Sequence, residues 1–341
     1  MTDSADHFIL IKFTYQMKNT INISVIIPVF NAAGSIGTLV HTLLSETTIR
    51  TEVIAVDDGS TDGTWDILSA ITDERLILIH QENQGVYAAR NAALEMHRGE
   101  WVVFLDADDQ VADGFLQERL HAAHEAQADV AVFNGWRADG TGHQLAPVHR
   151  KQPYGQTLTG HEWIRHCVKQ REWPHYLWLQ LARSAYIRKH DLRFQEGKSH
   201  KDILWTIHLA AGNGRFYFAD RRDYTYISNP ASITHRQDYY DIRAASYIDV
   251  IAEILALSTQ QQHSATRRAL VRHALVECRH FLGLYRRRVS NQQALRISFY
   301  ARITFRQLLP GISSLSDAFF LLKLARKIYY SPVSSGQQRS I

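Results

Sequence analysis

The strongest chemical signal in the sequence is a group of carboxylates that directly follows an apolar run. Asp106, Asp108 and Asp109 come after residues 101–105, and Ala107 separates the first two. Two aspartates spaced in this way at a strand end direct their carboxylates into one site, and hard oxygen ligands suit Mg²⁺ or Mn²⁺. We therefore predict a divalent metal at Asp106 and Asp108. A solvated turn, or the cap of a following helix, is the structural alternative.

Asp57 and Asp58 open a second polar cluster, which runs to Asp62 after the apolar stretch 52–56. Carboxylates at this place can accept a hydrogen bond from the imide N–H of a uracil ring or from a ribose hydroxyl. A helix cap by Asp62 or Ser60 explains part of the same pattern, and the two roles are compatible.

A third cluster begins at Asn83 and leads into a helical pattern. Gly85 opens this helix, and Arg90 and Asn91 share one of its faces. A helix N-terminus beside a guanidinium favours an anion. One arginine on an amphipathic helix is usually a surface charge, so this signal also has a structural alternative.

The first 135 residues alternate apolar runs with helical patterns, which predicts an open, twisted, mostly parallel sheet of the α/β class. The runs are β-branched and almost continuously apolar, as in parallel strands that are covered on both faces. Each polar cluster follows one of these strands, so the clusters should meet at the carboxyl edge of the sheet, where ligands bind in such folds. The predicted strands are 23–28, 52–56, 75–80, 101–105 and 129–133, and the predicted helices are about 34–45, 63–71, 86–97 and 113–127.

The remainder of the chain divides into an aromatic-rich region and a helical region. Residues 155–235 contain many aromatics and two further predicted strands, 215–218 and 224–227. Helices are predicted at about 239–258, 264–288, 291–308 and 315–329. The predicted organisation is an N-terminal extension at 1–20, an α/β domain at 21–237, a basic helical region at 238–330 and a disordered tail at 331–341.

Charge is distributed unevenly along the chain. The net charge is +4, but residues 261–341 contain fourteen Lys or Arg against Glu277 and Asp317, which is +12 and leaves −8 for the rest. This asymmetry predicts catalysis in the acidic body and anchoring to an anionic surface through the basic helices. Residues 319–330 mix aromatic, aliphatic and cationic side chains, as helices on a membrane surface do. A helical bundle with solvated arginines is the alternative.

We expect a cytoplasmic protein, bound peripherally at the inner membrane through its basic helices. No stretch approaches the roughly 18 to 20 apolar residues that a membrane span needs, and the sequence has no recognisable export signal. The two cysteines, Cys167 and Cys278, give no disulfide framework, which favours a reducing compartment.

Four segments in fixed order closely resemble the family 2 glycosyltransferases of the GT-A fold. They are 23–31, 57–62, 81–91 and 104–109, and the resemblance covers about residues 21–140. It implies a Rossmann-like GT-A domain at 21–237 with a C-terminal helical extension. It also implies an inverting transferase that uses a nucleoside-diphosphate sugar, usually a UDP-sugar, with Mn²⁺ or Mg²⁺.

Carried over position by position, the resemblance implies a donor site. Asp58 would contact the uracil, Arg90 would lie near the ribose or phosphate, and Asp106 would face the ribose and the metal with Asp108. His235 would be a third metal ligand or, with Arg236, would neutralise the leaving diphosphate; a surface pair is the alternative. The implied donor-binding set is Pro28, Asn31, Asp57, Asp58, Asn83, Gly85, Arg90, Asp106, His235 and Arg236.

An inverting transferase needs a general base for the acceptor hydroxyl. Family members carry an acidic residue ahead of an apolar helix, and Asp202 matches that position. His200 is the rival base, because an imidazole titrates near neutrality, and a helix cap is the structural alternative for Asp202. Many relatives have Glu-Asp where this chain has Lys201 and Asp202, which is a departure from the family pattern.

Segments 158–165, 173–178 and 200–205 resemble a branch of the family that modifies the inner core of bacterial lipopolysaccharide. This resemblance implies UDP-glucuronate as donor and a core heptose as acceptor. The carboxylate of glucuronate requires cationic contacts, and the candidates are Lys198, Lys201 and Arg137. Two alternatives remain: a transferase for capsule or O-antigen that uses a neutral UDP-hexose, and a protein that binds a nucleotide sugar without transferring it.

Other ligand classes fit the sequence less well. A nucleotidyltransferase would carry a Gly-rich, cationic loop after its first strand, and an NAD enzyme would show G-x-G-x-x-G there; the loop 29–35 has neither. Nucleic-acid binding through the basic helices is disfavoured by the acidic, carboxylate-rich body.

Overall fold

The computed structural model describes residues 20–197, 199–227 and 239–329. Apart from Thr20, the predicted N-terminal extension lies outside these ranges, as does the predicted tail. The strands are β1 (Ile23–Val29), β2 (Thr51–Asp57), β3 (Leu76–His80), β4 (Trp101–Phe104), β5 (Gln110–Val111), β6 (Val130–Ala138), β7 (Gln144–Pro147), β8 (Thr157–Thr159), β9 (Gln180–Arg183) and β10 (Arg215–Ile227). The helices are α1 (Ile36–Ser45), α2 (Thr64–Ser69), α3 (Val86–Met96), α4 (Phe115–Glu125), α5 (Gly160–Gln170), α6 (Ser184–Lys189), α7 (Lys201–Ala211), α8 (Tyr239–Gln260), α9 (Ser264–Arg287), α10 (Gln292–Arg302), α11 (Phe305–Leu308) and α12 (Leu315–Ile328).

The strands form one mixed sheet in the order β3-β2-β1-β4-β9-β6-β10-β5, with β7 beside β6 and β8 beside β10. The first four strands are parallel, and β6 is parallel to β10. The predicted α/β class and mostly parallel sheet are therefore confirmed. Strand β9 is inserted antiparallel between β4 and β6. It is absent from the predicted strands because its four residues show no apolar alternation.

The central strands are buried on both faces. Every residue of β1 and β2 is buried, and so are all four residues of β4. Fully burying a side chain such as Ile26 or Val103 contributes about 1.5–3 kcal/mol before entropy is counted. The almost continuous apolar runs in the sequence reflect this two-sided burial, because helices cover both faces of a parallel sheet.

The two strands predicted at 215–218 and 224–227 are one long strand, β10. Its pairing with β6 is irregular between Phe218 and Arg222 and again before Thr225. The polar residues between the two predicted strands stay in the strand because they find partners. Arg222 donates to Asp220, which also accepts from Asn134 at 2.6 Å.

The helix predicted at 291–308 is broken into α10 and α11. Thr304 begins α11 with a capping box, in which its side chain accepts from the backbone of Gln307 and the Gln307 side chain accepts from the backbone of Thr304. This pattern starts a new helix, although the apolar periodicity continues through Ile303. None of the described helices combines the length and the apolar character that crossing a bilayer requires.

The described residues form two compact units. The first contains the sheet and has three segments, 20–160, 174–196 and 208–227. The second contains the C-terminal helices and has three segments, 161–173, 197–207 and 239–329. In the second unit Trp173 stacks on His273 at 4.6 Å. These units divide the chain differently from the predicted boundary at residue 237, because 161–173 and 197–207 pack with the C-terminal helices.

A fully buried arginine joins three parts of the first unit. The guanidinium of Arg119, on α4, donates to both carboxylate oxygens of Asp223 on β10 at 2.5–3.1 Å, and to the carbonyl of Trp178 at 2.6 Å. The rings of Phe115 and Phe133 lie 3.9 and 4.5 Å from it. A buried charge is tolerated only when its hydrogen bonds are satisfied, so this set of contacts fixes α4 against β10.

We expect Arg119→Leu to lower the free energy of unfolding by about 3–5 kcal/mol, because it leaves the carboxylate of Asp223 buried and without its main partner. Urea unfolding followed by circular dichroism measures this. Arg221→Leu is the matched control, since Arg221 pairs with the same carboxylate but its side chain is 37% exposed; its effect should stay below about 1 kcal/mol. Equal effects of the two substitutions would contradict the assignment.

Candidate functional site

The carboxyl ends of three adjacent strands bring the predicted polar clusters to one edge of the sheet. Strand β1 lies between β2 and β4, and the register pairs Val29 with Asp57 and Ile26 with Phe104. The residues that follow these strands, including Asn31, Asp58 and Asp106, therefore start from neighbouring positions. This edge is the one on which the sequence predicts the ligand site.

Asn31 connects the loop after β1 with the loop after β2. Its backbone N–H donates to Ser60 Oγ at 2.9 Å, and its side-chain oxygen accepts from the Thr61 N–H at 2.8 Å. Its φ of 50° lies in the left-handed region, which asparagine tolerates better than most residues. Asn31 thus joins the two loops, while Pro28 is buried near the end of β1 and Phe30, which follows the strand, is 51% exposed.

Asp58 fixes the start of α3. Its carboxylate accepts from the backbone N–H groups of Gln84 and Gly85, each at 2.8 Å, and from Gln81 Nε2 at 2.7 Å. Gly85 has a φ of 93°, which favours glycine. A carboxylate offers about four acceptor positions, so Asp58 uses most of its capacity within the protein. Its contact with a uracil ring stays a prediction.

The neighbouring residues of these two clusters have different environments. Asp57 is fully buried, accepts from the Ser60 N–H at 3.3 Å, and lies 2.7 Å from His80 Nδ1. Asn83 is exposed at the opening of the loop before α3. Asp57 therefore supports the loop, and Asn83 remains accessible to a ligand.

Arg90 is a buried residue of α3 and orients the acidic cluster. Its Nη2 donates to Asp106 Oδ1 at 2.8 Å, with side-chain exposures of 7% for Arg90 and 40% for Asp106. The rings of Tyr87 and Phe194 lie 5.7 and 5.5 Å from the guanidinium. The alternative of an ordinary surface charge is therefore wrong for Arg90.

The three aspartates after β4 are not equivalent. Asp106 is partly exposed and Asp108 is exposed, whereas Asp109 is buried and accepts from the Tyr224 hydroxyl at 2.6 Å and from the Ile227 N–H at 3.2 Å. Desolvation, and then the charge of Asp106, raise the pKa of Asp108. The same two causes raise the pKa of Asp109 to about 8. Asp106 and Asp108 are accessible and repel one another, so their environment fits a divalent cation.

Comparison with known proteins identifies the family. Residues 24–179 match the model of glycosyl transferase family 2. The chain is 33% identical over 229 residues, 65% of its length, to the uncharacterized glycosyltransferase YibD of Escherichia coli (strain K12), of which 66% is covered. It is 38% identical over 100 residues to the Escherichia coli UDP-Glc:alpha-D-GlcNAc-diphosphoundecaprenol beta-1,3-glucosyltransferase WfaP, over 29% of this chain and 40% of that protein. The chain belongs to glycosyl transferase family 2.

The fold of this family 2 glycosyltransferase is also similar to that of a solved structure. Staphylococcus aureus TarS in complex with UDP superposes with a TM-score of 0.66 at 21% identity, over 90% of this chain and 89% of that one. The predicted family, the GT-A-like α/β fold with C-terminal helices and the assignment as a glycosyltransferase are confirmed.

The two candidate bases lie in the second unit of the glycosyltransferase. Asp202 is partly buried in the first turn of α7. Burial, and then the charge of Arg243, lower the pKa of His200 to about 4. His200 is therefore no stronger a base than an ordinary carboxylate, which favours Asp202. The role of Asp202 stays a prediction.

Three of the predicted cationic contacts lie outside the described residues, namely Lys198, His235 and Arg236. Lys201 is described, and the structure contradicts its predicted role as a contact for the glucuronate carboxylate. Its side chain is 4% exposed and its Nζ donates to Asp249 at 3.0 Å, so the ammonium is already paired. Arg137 remains exposed on β6.

Some residues of the site were not predicted. Gln81 holds Asp58, the Ser35 hydroxyl donates to the carbonyl of Ala107 at 2.8 Å, and Tyr224 holds Asp109. The signal for Tyr224 was present, because tyrosines alternate in the last predicted strand. Its partner could not be read from the sequence, since the two residues are 115 positions apart.

The raised pKa of Asp109 predicts a loss of stability at higher pH. Between the ordinary carboxyl pKa of 3.8 and about 8, the folded protein keeps a proton that the unfolded chain has released, so the free energy of unfolding falls as pH rises through this window. Asp109→Asn cannot ionise. Between pH 5 and pH 8, we expect the free energy of unfolding to decrease by at least about 1 kcal/mol less in this variant than in the wild type.

Urea unfolding at both pH values in the presence of EDTA measures this difference. Asp66→Asn, which replaces an exposed aspartate of α2, is the control and should keep the wild-type dependence on pH. An unchanged dependence in Asp109→Asn would show that Asp109 is ionised throughout.

Proposed function

We propose that this chain transfers a sugar from a UDP-sugar to a cell-surface glycan, with UDP-glucuronate as donor and a lipopolysaccharide core heptose as acceptor. One observation carries the proposal. In a glycosyl transferase family 2 domain, the accessible carboxylates of Asp106 and Asp108 lie at the carboxyl edge of the sheet, and buried Arg90 orients the first of them.

Asp106 and Asp108 would hold Mn²⁺ or Mg²⁺. The bound ion supplies positive charge that offsets the negative charge of the leaving diphosphate. Two protein carboxylates leave coordination positions open for phosphate oxygens. The protein itself contributes the orientation, because Arg90 fixes Asp106 and Asp58 fixes the loop before α3. Arg90 also places a cation next to the acidic cluster, which favours the phosphate groups of the donor.

Inversion follows from a single displacement. The oxygen of the acceptor hydroxyl forms a bond with the anomeric carbon as the bond from that carbon to the diphosphate oxygen breaks, and the electron pair leaves with UDP. The hydroxyl proton passes to the carboxylate of Asp202. A positioned carboxylate typically contributes about 10²–10⁴-fold to such a step.

The donor and the acceptor rest on separate arguments. The names of WfaP and of the TarS complex mention UDP-Glc and UDP, which supports a UDP-sugar. WfaP also acts on a lipid-linked acceptor, which supports a surface glycan. The choice of glucuronate as the donor sugar rests on the resemblance of segments 158–165, 173–178 and 200–205. Arg137 is the remaining candidate contact for its carboxylate among the described residues. A neutral UDP-hexose for capsule or O-antigen is the second candidate.

Incubation of the purified chain with UDP-glucuronate, UDP-glucose and UDP-GlcNAc and a heptose-containing core acceptor tests the proposal, with product mass as the readout. We expect glucuronate transfer that EDTA lowers on the order of 100-fold or more and Mn²⁺ restores. Asp202→Asn should lower transfer about 10²–10⁴-fold while UDP affinity is retained.

Each other outcome has a defined meaning. A preference for UDP-glucose would replace UDP-glucuronate as the proposed donor and leave the assignment as a transferase unchanged. Activity that is insensitive to EDTA would reject the proposed requirement for a divalent metal. Binding of UDP-sugars without transfer to the core acceptor or to water would identify a non-catalytic protein, and full activity of Asp202→Asn would reject Asp202 as the base.

We further propose that the protein works on the cytoplasmic face of the inner membrane, attached through its second unit. Leu315, Phe319 and Leu322 form a stripe along α12 with exposures of 80%, 70% and 61%. Exposed Lys323 and Arg326 flank this stripe. A helical bundle explains the buried face of α12 but not three exposed apolar residues at helical spacing. An anionic bilayer complements the surrounding cations, whereas a second copy would bring two basic surfaces together.

The combined substitution of Leu315, Phe319 and Leu322 by serine should lower binding to vesicles that contain anionic phosphatidylglycerol by at least about tenfold, because it removes the apolar area that would enter the bilayer. Flotation at low and high salt measures this. Leu145→Ser is the matched control, since Leu145 is 63% exposed on β7 of the first unit. Wild-type protein that fails to float at either salt concentration would reject the attachment.

A further inference from the structure

Four aromatic side chains form a stack next to the acidic cluster. The ring of Tyr224 is parallel to that of Trp178, with centroids 4.0 Å apart and an interplanar angle of 6°. Tyr176 stacks on Trp178 at 5.1 Å, and Tyr226 lies 5.8 Å from Tyr176. All four belong to the first unit. We refer to them as the aromatic stack.

The inner part of the aromatic stack is held rigidly. Trp178 and Tyr224 are each 1% exposed, and the hydroxyl of Tyr224 donates to Asp109. Gly135, in the middle of β6, makes room for Trp178, because a Cβ at this position would lie 2.8 Å from its ring. A glycine inside a strand weakens the strand, so its presence indicates that the ring, together with the Tyr224 carbonyl oxygen that would also lie 2.8 Å from this Cβ, needs the space.

The outer part of the aromatic stack remains open. Tyr176 and Tyr226 are only partly buried, and among the described residues neither hydroxyl makes a hydrogen bond. Packing of the core accounts for Trp178 and Tyr224, which are enclosed. Tyr176 and Tyr226 also pack against this core, but both stay partly exposed and so present part of their surface to a ligand.

Tyr226 lies close to the carboxylates of the donor site. Strand β10 pairs with β5 at Thr225 and Gln110, so Tyr226 is next to the residues that directly follow Asp109. Burial and the neighbouring Tyr176 raise the pKa of Tyr226, and the charges of Asp109, Asp106 and Asp108 raise it further. The open tyrosines and the acidic cluster therefore face the same region of the first unit.

This chemistry suits a pyranose ring. One face of a pyranose presents C–H groups, which pack against the negative face of an aromatic ring, while its hydroxyls need hydrogen-bond partners such as a tyrosine O–H. We propose that Tyr176 and Tyr226, supported by Trp178, form a subsite for a pyranose ring beside Asp106 and Asp108. The inference deepens the proposed function and rests on it for the identity of the ligand as a sugar.

Binding measurements test the subsite independently of turnover. Titration calorimetry with UDP, with UDP-glucuronate or UDP-glucose, and with the core oligosaccharide gives three affinities for each variant. Tyr226→Ala and Tyr176→Ala should each lower the affinity for a sugar-bearing ligand by about three- to tenfold, in line with the value of an aromatic contact, while the affinity for UDP alone is unchanged. Tyr226→Phe should lose less, because it keeps the ring.

The three ligands distinguish the source of the pyranose. A loss confined to the UDP-sugar assigns the subsite to the donor sugar, and a loss confined to the oligosaccharide assigns it to the acceptor. Unchanged affinities for both, or a parallel loss for UDP, overturn the proposal. Binding is measured directly, so the two proposals can fail independently. If the wild-type chain binds sugars but transfers none, the proposed activity is rejected and the proposed subsite is not.

Tyr300→Ala is the control for a general effect of removing a tyrosine, since Tyr300 is 62% exposed on α10. Its three affinities should equal those of the wild type. Melting temperatures establish that each variant is folded. Tyr226→Leu, which fills more of the space than alanine but has no aromatic face, replaces Tyr226→Ala if the alanine variant is unfolded at the assay temperature.

Discussion

Repulsion between carboxylates is the constraint that governs this edge of the sheet. Parallel strands β2 and β4 lie on either side of β1 and end at the same edge of the sheet, and both are followed by aspartates. The fold offsets this repulsion with a different partner for each group: backbone N–H groups for Asp58, the guanidinium of Arg90 for Asp106, and a tyrosine hydroxyl with a retained proton for Asp109. Asp108 is left exposed. Of these four carboxylates, that of Asp108 is therefore the most accessible to solvent.

The sequence predicts the fold where the signal is local. Continuous apolar runs followed by polar clusters identify β1 to β4 and the edge at which they end, because two-sided burial and the βαβ rhythm leave a direct trace in residue type. Non-local pairing leaves no such trace. The antiparallel insertion of β9 and the merging of two predicted strands into β10 depend on distant partners, such as Asn134 and Asp220, which are 86 positions apart.

The sequence predicts that the polar clusters share one edge of the sheet, which the structure confirms, but it does not distinguish the roles of the individual residues. All three aspartates after β4 looked alike, and only their burial separates accessible Asp106 and Asp108 from enclosed Asp109. Arg90 had the features of a surface charge because the residues that bury it come from elsewhere in the chain, including Phe194. Lys201 had the features of a ligand contact, yet its ammonium group is already paired with Asp249. Residue types establish the chemistry available, and burial decides which group is free to use it.

The space that Gly135 provides for Trp178 has an evolutionary consequence. A Cβ at residue 135 would lie 2.8 Å from the ring of Trp178 and also 2.8 Å from the backbone carbonyl oxygen of Tyr224. The carbonyl belongs to the backbone of β10 and is present whichever side chain occupies residue 178. Across descendants of this chain, the glycine should therefore persist even in lineages that have replaced the tryptophan.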